Sequence, residues 1–199
     1  DVLAGSTGGG EEEEKGMDDV LSVLENLLDL DGMNLLGTDL ITVLLSTPQI
    51  PSSLLRRLSQ PSTPATTTQQ HQLRLHSSEI LSTILQHPHI TTNATHKTTP
   101  LLTPDDMELL LQSIAPYRKK NPPTVEDAET LDNTLSALAA VADDTRHHNP
   151  LFLNGQGVEL MLRFLRERTH GGKGALRVLA FALCDERSCD AFVDAGGLK

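Results

Sequence analysis

The chain has 199 residues, a formal net charge of -11, 3% aromatic side chains, one Tyr and no Trp. A surplus of acids disfavours nucleic acid as a bulk ligand, and no stretch approaches the roughly 20 apolar residues of a membrane-spanning helix. The N-terminus lacks the basic-then-apolar order of a secretory signal, and Cys184 and Cys189 are too few for a disulfide framework and match neither zinc-ribbon nor Cys-x-x-Cys spacing.

The apolar set is dominated by Leu and Ala, which favours helices over strands. Residues 1–16, rich in Gly and carrying four consecutive Glu, are predicted to be an acidic flexible tail, and a helical repeat domain is expected over 17–199. Met17, Val20, Leu21, Leu24, Leu27 and Leu28 follow the spacing of one helical face and predict a helix ending near Asp31-Gly32. Thr38 and Asp39 can cap a second helix through "LITVLL", and Pro51 suits the first turn of a third through "SSLLRRL". Thr/Pro-rich inserts are predicted near 60–72 and 87–103, on either side of a helical stripe from Leu73 to Leu85. Thr103-Pro104-Asp105-Asp106 is a helix start, and that helix should stop at Pro116. Thr124 begins a long helix with Ala128, Leu131, Leu135, Leu138 and Ala142 on one face. "VELMLRFL" and "ALRVLAFALC" are apolar nearly all round and require cover on most sides.

A repeat of about forty residues links these elements. Phe152 pairs with Phe192, Gly157 with Gly197 and Val158 with Leu198 at one offset. The rhythm of short, exposed and buried helices is that of a solenoid. "GALRVLAFALCDERSCDAFVDAGGLK" resembles the armadillo consensus, and "LSALAAVADDTRHHNPLFLNGQGVELMLRFL" has the same order one unit earlier. The run from "YRKKNPPTVEDAETLDNTLSALAAVADD" through "FLNGQGVELMLRFLRERTHGGKGALRVLAFAL" to "FVDAGGLK" is similar to the beta-catenin-like protein 1 family.

The resemblance implies an all-α, right-handed armadillo-like solenoid. It also implies a nuclear, non-enzymatic scaffold of pre-mRNA splicing in the nineteen complex, partnered by that complex's Myb-like subunit and by basic nuclear-localisation-type segments of splicing proteins. The competing expectations are an armadillo adaptor in transport or at the cytoskeleton, and a regulatory subunit of an enzyme such as a ubiquitin ligase.

No catalytic, cofactor-binding or metal-binding residue is expected. The eight histidines form no His-Glu-x-x-His, and the pairs His87/His89 and His147/His148 stand in predicted turns without further ligands at zinc spacing. "GGKGAL" has Glu167 where a phosphate loop needs Gly, and "DLDG" has Leu40 where a calcium loop needs Glu. The two cysteines are expected to be reduced, semi-buried thiols. Candidate partner-binding residues are therefore charged ones. Glu126, Glu129 and Asp132, together with Asp127, stand on the long helix, and Asp143 and Asp144 stand at its end. A basic partner would suit these acids, the alternative being a solvated helix face. Arg163 and Arg166, with Arg168, Lys173 and Arg177, could meet an acidic chain or RNA, or could simply cover apolar repeat edges. Val178 falls where armadillo peptide binders carry a ladder Asn, which argues against an import-receptor type of groove. Finally, "FVDAGGLK" reads as the opening of another repeat, so the faces of "ALRVLAFALC" and Leu198 are expected to be bare or covered by another chain, a second copy included.

Overall fold

A computed structural model describes residues 8–32, 40–45, 47, 49–60, 68–86, 102–143, 148–184 and 186–198. The helices are α1 (Gly8–Gly32), α2 (Leu40–Leu45), α3 (Gln49–Leu58), α4 (Thr68–Gln86), α5 (Pro104–Ile114), α6 (Val125–Ala142), α7 (His148–Asn154), α8 (Gly157–Glu167), α9 (Gly172–Ala182) and α10 (Glu186–Asp194). A 3-10 turn over Ala115–Arg118 follows α5. No strand is present among the described residues.

Local chemistry sets the helix starts. Thr103 caps α5 in a reciprocal box: the Asp106 amide donates to Thr103 Oγ1 at 3.2 Å and the Thr103 amide donates to Asp106 Oδ2 at 3.0 Å. Thr124 caps α6 by accepting from the Asp127 amide at 3.1 Å. Pro116 lies inside the 3-10 turn, where its missing N–H ends the α-helical ladder.

The long helices make a ladder. α4 packs between α1 and α6, and α6 packs between α4 and α9. The rungs are parallel and in step: Arg74 meets Asp127, and the Asn133 side chain donates to Ser78 Oγ at 3.3 Å. Further along, Gly174 sits against Leu135, where an added Cβ would lie 2.6 Å from Leu135 Cδ1. The glycines of "GGKGAL" thus admit close helix packing. α3, α5 and α8 are the second helices and α2, α7 and α10 the short first ones. Buried Asn149 of α7 clips two rungs together, its amide donating to the carbonyls of Ala142 at 3.2 Å and Ala182 at 2.8 Å.

The forty-residue repeat is visible in atomic detail. A methyl on Gly157 would overlap the Phe152 ring, and one on Gly197 would overlap the Phe192 ring. The residue before each glycine is left-handed, Gln156 at φ 59° and Gly196 at φ 78°. That conformation costs an L-residue about 1–2 kcal/mol, part of which glycine returns as unfolded-state entropy. Gln156→Gly is therefore expected to stabilise the chain by up to about 1 kcal/mol, and Gly196→Gln to destabilise it by a similar amount, both read from urea unfolding midpoints.

Several expectations need correction. Helix α1 begins at Gly8, so residues 8–16 are helical, not a flexible tail; Glu is a strong helix former and carries the run past the glycines. Residues 1–7 lie outside the described residues, as do Thr38, Asp39, 61–67, 87–101 and His147. α4 starts at Thr68, inside the first predicted insert, and at the end of the second insert Leu102 is fully buried while Thr103 caps α5. Polar composition hid these starts because their cover comes from tertiary packing. α6 buries more than one face: Thr130, Thr134, Ala137 and Val141 are buried beside the Leu stripe, as a middle rung requires. Cys184 and Cys189 are exposed, because the turn after α9 and α10 face outward. Leu176, Phe181, Val193 and Leu198 are exposed on this chain.

Candidate functional site on the ladder of parallel helices

The outward face of α1, α4 and α6 is acidic. Glu25 and Asp29 stand on α1, Glu79 on α4, and Glu129 and Asp132 on α6. Parallel rungs bring them side by side. Glu79 is pushed from an ordinary 4.5 to about 8, first by a hydrogen bond with Glu25, then by burial, then by the charges of Glu25, Glu129 and Asp29. One carboxyl of this row therefore keeps its proton near neutral pH. His76, also on α4, supplies a counter-group: its Nδ1 lies 2.6 Å from Glu25 Oε2 and its Nε2 lies 3.8 Å from Asp18 Oδ1.

Toward the C-terminal ends of α4 and α6, next to α9, the face becomes less polar. A shallow cavity of about 190 Å³ is lined by Leu85, Ser136, Ala140, Asp143, Arg177 and Phe181. On the second-helix side, a cavity of about 250 Å³ lies among Glu108, Arg118, Gln156, Glu159 and Arg163, where charges balance. Beneath the acidic face runs a buried network. Arg74 Nη1 and the Tyr117 hydroxyl each donate to Asp127 Oδ1 at 3.1 Å, and Thr124 Oγ1 donates to Asp127 Oδ2 at 3.3 Å. Burial pushes the Tyr117 pKa above its usual 10.0, which keeps the hydroxyl a donor.

The expected acids separate into different roles. Glu126, Glu129, Asp132 and Asp143 are exposed, whereas Asp127 is fully buried and belongs to the core network instead of a solvated cluster. Asp132 is engaged, with His170 Nε2 3.2 Å from its Oδ2. Asp144 lies outside the described residues. Arg163 and Arg166 are exposed but are not gathered with Arg177: Arg163 faces the larger cavity, and Arg166 donates to the carbonyls of Ala195 at 2.7 Å and Gly196 at 3.1 Å. Val178 is fully buried, so it is not the groove position of α9. Arg177 and Phe181, one turn apart, line the smaller cavity beside Ser136 and Ala140. Glu25, His76 and Glu79 were missed because residues some fifty positions apart become neighbours only through rung pairing.

Residues 6–199 match a family described as catenin-beta-like, Arm-motif containing, nuclear. The chain belongs to the catenin-beta-like family. It is 28% identical over 192 residues to the beta-catenin-like protein 1 homolog of Schizosaccharomyces pombe, covering 95% of this chain and 31% of the relative. Over 98 residues it is 33% identical to beta-catenin-like protein 1 of Rattus norvegicus and 32% to that of Homo sapiens, covering 48% of this chain and 17% of each relative. The chain thus spans less than a third of the length of these relatives. As a catenin-beta-like protein it has the all-α, armadillo-like solenoid that its repeats announced, and α1, α4, α6 and α9 are the third-helix rungs of that Arm architecture.

Proposed function

We propose that this chain is part of a non-enzymatic nuclear scaffold of the splicing machinery, and that its ladder face holds basic, nuclear-localisation-type segments of partner splicing proteins. The observation that carries the reading is the row of Glu25, Glu79 and Glu129 across three adjacent rungs, crowded enough to hold a proton on Glu79 up to about pH 8. Arg or Lys side chains laid across the rungs replace that proton and neutralise the row. The same face repels phosphate, which favours a basic polypeptide over RNA. Membership of a nuclear Arm-motif family supports the setting. The Myb-like subunit of the nineteen complex is the partner that the family resemblance puts forward.

The test is fluorescence anisotropy with an Arg-rich peptide and an acidic control peptide of the same length. Binding is expected to weaken with salt and to fall at least about fivefold in Glu79→Gln/Glu129→Gln, as when charge-assisted contacts worth about 1 kcal/mol or more are lost. Arg163→Glu, on the other side of the stack, should leave it unchanged. Equal affinity for both peptides would refute the basic-segment reading, and affinity capture from nuclear extract without splicing proteins would refute the splicing assignment.

A further inference from the structure

Between α1 and α4 a set of donor atoms converges whose chemistry is more specific than negative charge. One donor atom each from Glu25, His76 and Glu79 lies within 4.8 Å of the others. His76 and Glu79 are three residues apart on α4 and so share a face, while Glu25 reaches in from α1. Asp18, also on α1, points its Oδ1 to within 3.8 Å of His76 Nε2, yet that oxygen is shut off from solvent and accepts no hydrogen bond. A buried carboxylate oxygen without a partner is costly. Among the described residues no Lys or Arg is ion-paired to any of the four.

A divalent cation answers each of these features. It replaces the hydrogen bond that joins Glu25 to Glu79 and neutralises their two carboxylates and, held at His76 Nδ1, it leaves the Nε2 proton directed to the Asp18 side. The donor class chooses the ion. Imidazole nitrogen with carboxylate oxygens suits zinc, whereas magnesium and calcium favour all-oxygen sets. Zinc bonds of about 2.0–2.2 Å put tetrahedral ligands roughly 3.4 Å apart, and half-buried side chains can close to that spacing by rotation.

We propose that Glu25, His76 Nδ1 and Glu79 form a Zn²⁺ site that clamps α1 onto α4, with water completing the tetrahedron and Asp18 facing the other ring nitrogen. A cation bound by the folded state alone stabilises it by mass action, and its ligands here belong to the first two rungs. The ion and a basic segment compete for Glu25 and Glu79, and the ion is tested without peptide so that the two readings fail separately.

Cys184 and Cys189 are exposed thiols able to take zinc themselves. The probe is therefore ZnCl₂ added to the full chain carrying Cys184→Ser and Cys189→Ser. One Zn²⁺ per chain is expected by calorimetry, with a raised unfolding midpoint and a shift of the His76 ring ¹⁵N resonances. His76→Gln and Glu79→Gln should each weaken binding at least about tenfold, the loss seen when even outer-shell partners of a metal ligand are removed. Zinc binding of unchanged affinity in both variants, or His76 resonances indifferent to zinc, overturns the site. An equal response to Mg²⁺ overturns it too, because it would reduce the cluster to an unspecific acidic patch. The resonance measurement needs neither ligand variant and stands if those variants fold poorly.

Discussion

Asp127→Ala is expected to destabilise the chain by about 3–5 kcal/mol, the cost of breaking a buried ion pair from one side. Arg74 and Asp127 are both buried, so removing the carboxylate strands a guanidinium in the core. Tyr117 loses the acceptor of its hydroxyl and α6 loses the interaction that steadies its Thr124 cap. Because Arg74 belongs to α4, Asp127 to α6 and Tyr117 to the turn after α5, the damage falls on the junction between two repeats. A buried pair is not in itself a large net stabiliser relative to apolar residues that fill the same space. Arg74→Met/Asp127→Leu is therefore expected to recover most of the loss, and urea unfolding reads both. A single-variant loss under about 1 kcal/mol would mean that water screens the pair, contrary to the burial on which the network rests.

This network also marks how far sequence reasoning reached. Thr124 was legible as a helix start, since capping is a local relation. That Asp127 turns inward was not legible, because its partner stands fifty-three positions earlier in a stretch of polar character. Phe152/Gly157 and Phe192/Gly197 were legible because the repeat writes the same local packing twice. The wet side of α9 was not: Val178, Ala180 and Phe181 differ little in polarity, and the packing of α9 on α6 decides which of them is covered. The candidate site shows the same division. Glu129 was singled out from its own helix, whereas Glu25, His76 and Glu79 gain meaning only when parallel rungs set α1, α4 and α6 in step.

Glu79 gives the site a pH signature whose sign is fixed. Its folded-state pKa is raised to about 8, so the folded chain holds a proton that the unfolded chain releases near 4.5. The associated stability is fully present below about pH 4.5 and is lost as pH rises through about 8. The side chain is half-exposed and water screens it, so the stability effect is on the order of 1 kcal/mol. Binding is the more sensitive readout. An Arg-rich segment favours the ionised carboxylate and must displace the proton, so affinity is expected to rise with pH by up to about tenfold per unit below the Glu79 pKa and to level off above it. The groups facing Glu79 are Glu25 and Asp29 of α1, His76 of α4 and Glu129 of α6. The decisive quantity is therefore the difference between wild type and Glu79→Gln, measured by calorimetry in buffers of different ionisation enthalpy with a chelator present. Wild type should release up to one more proton per peptide than the variant near pH 7, and equal release by the two would show that the proton on Glu79 plays no part in recognition.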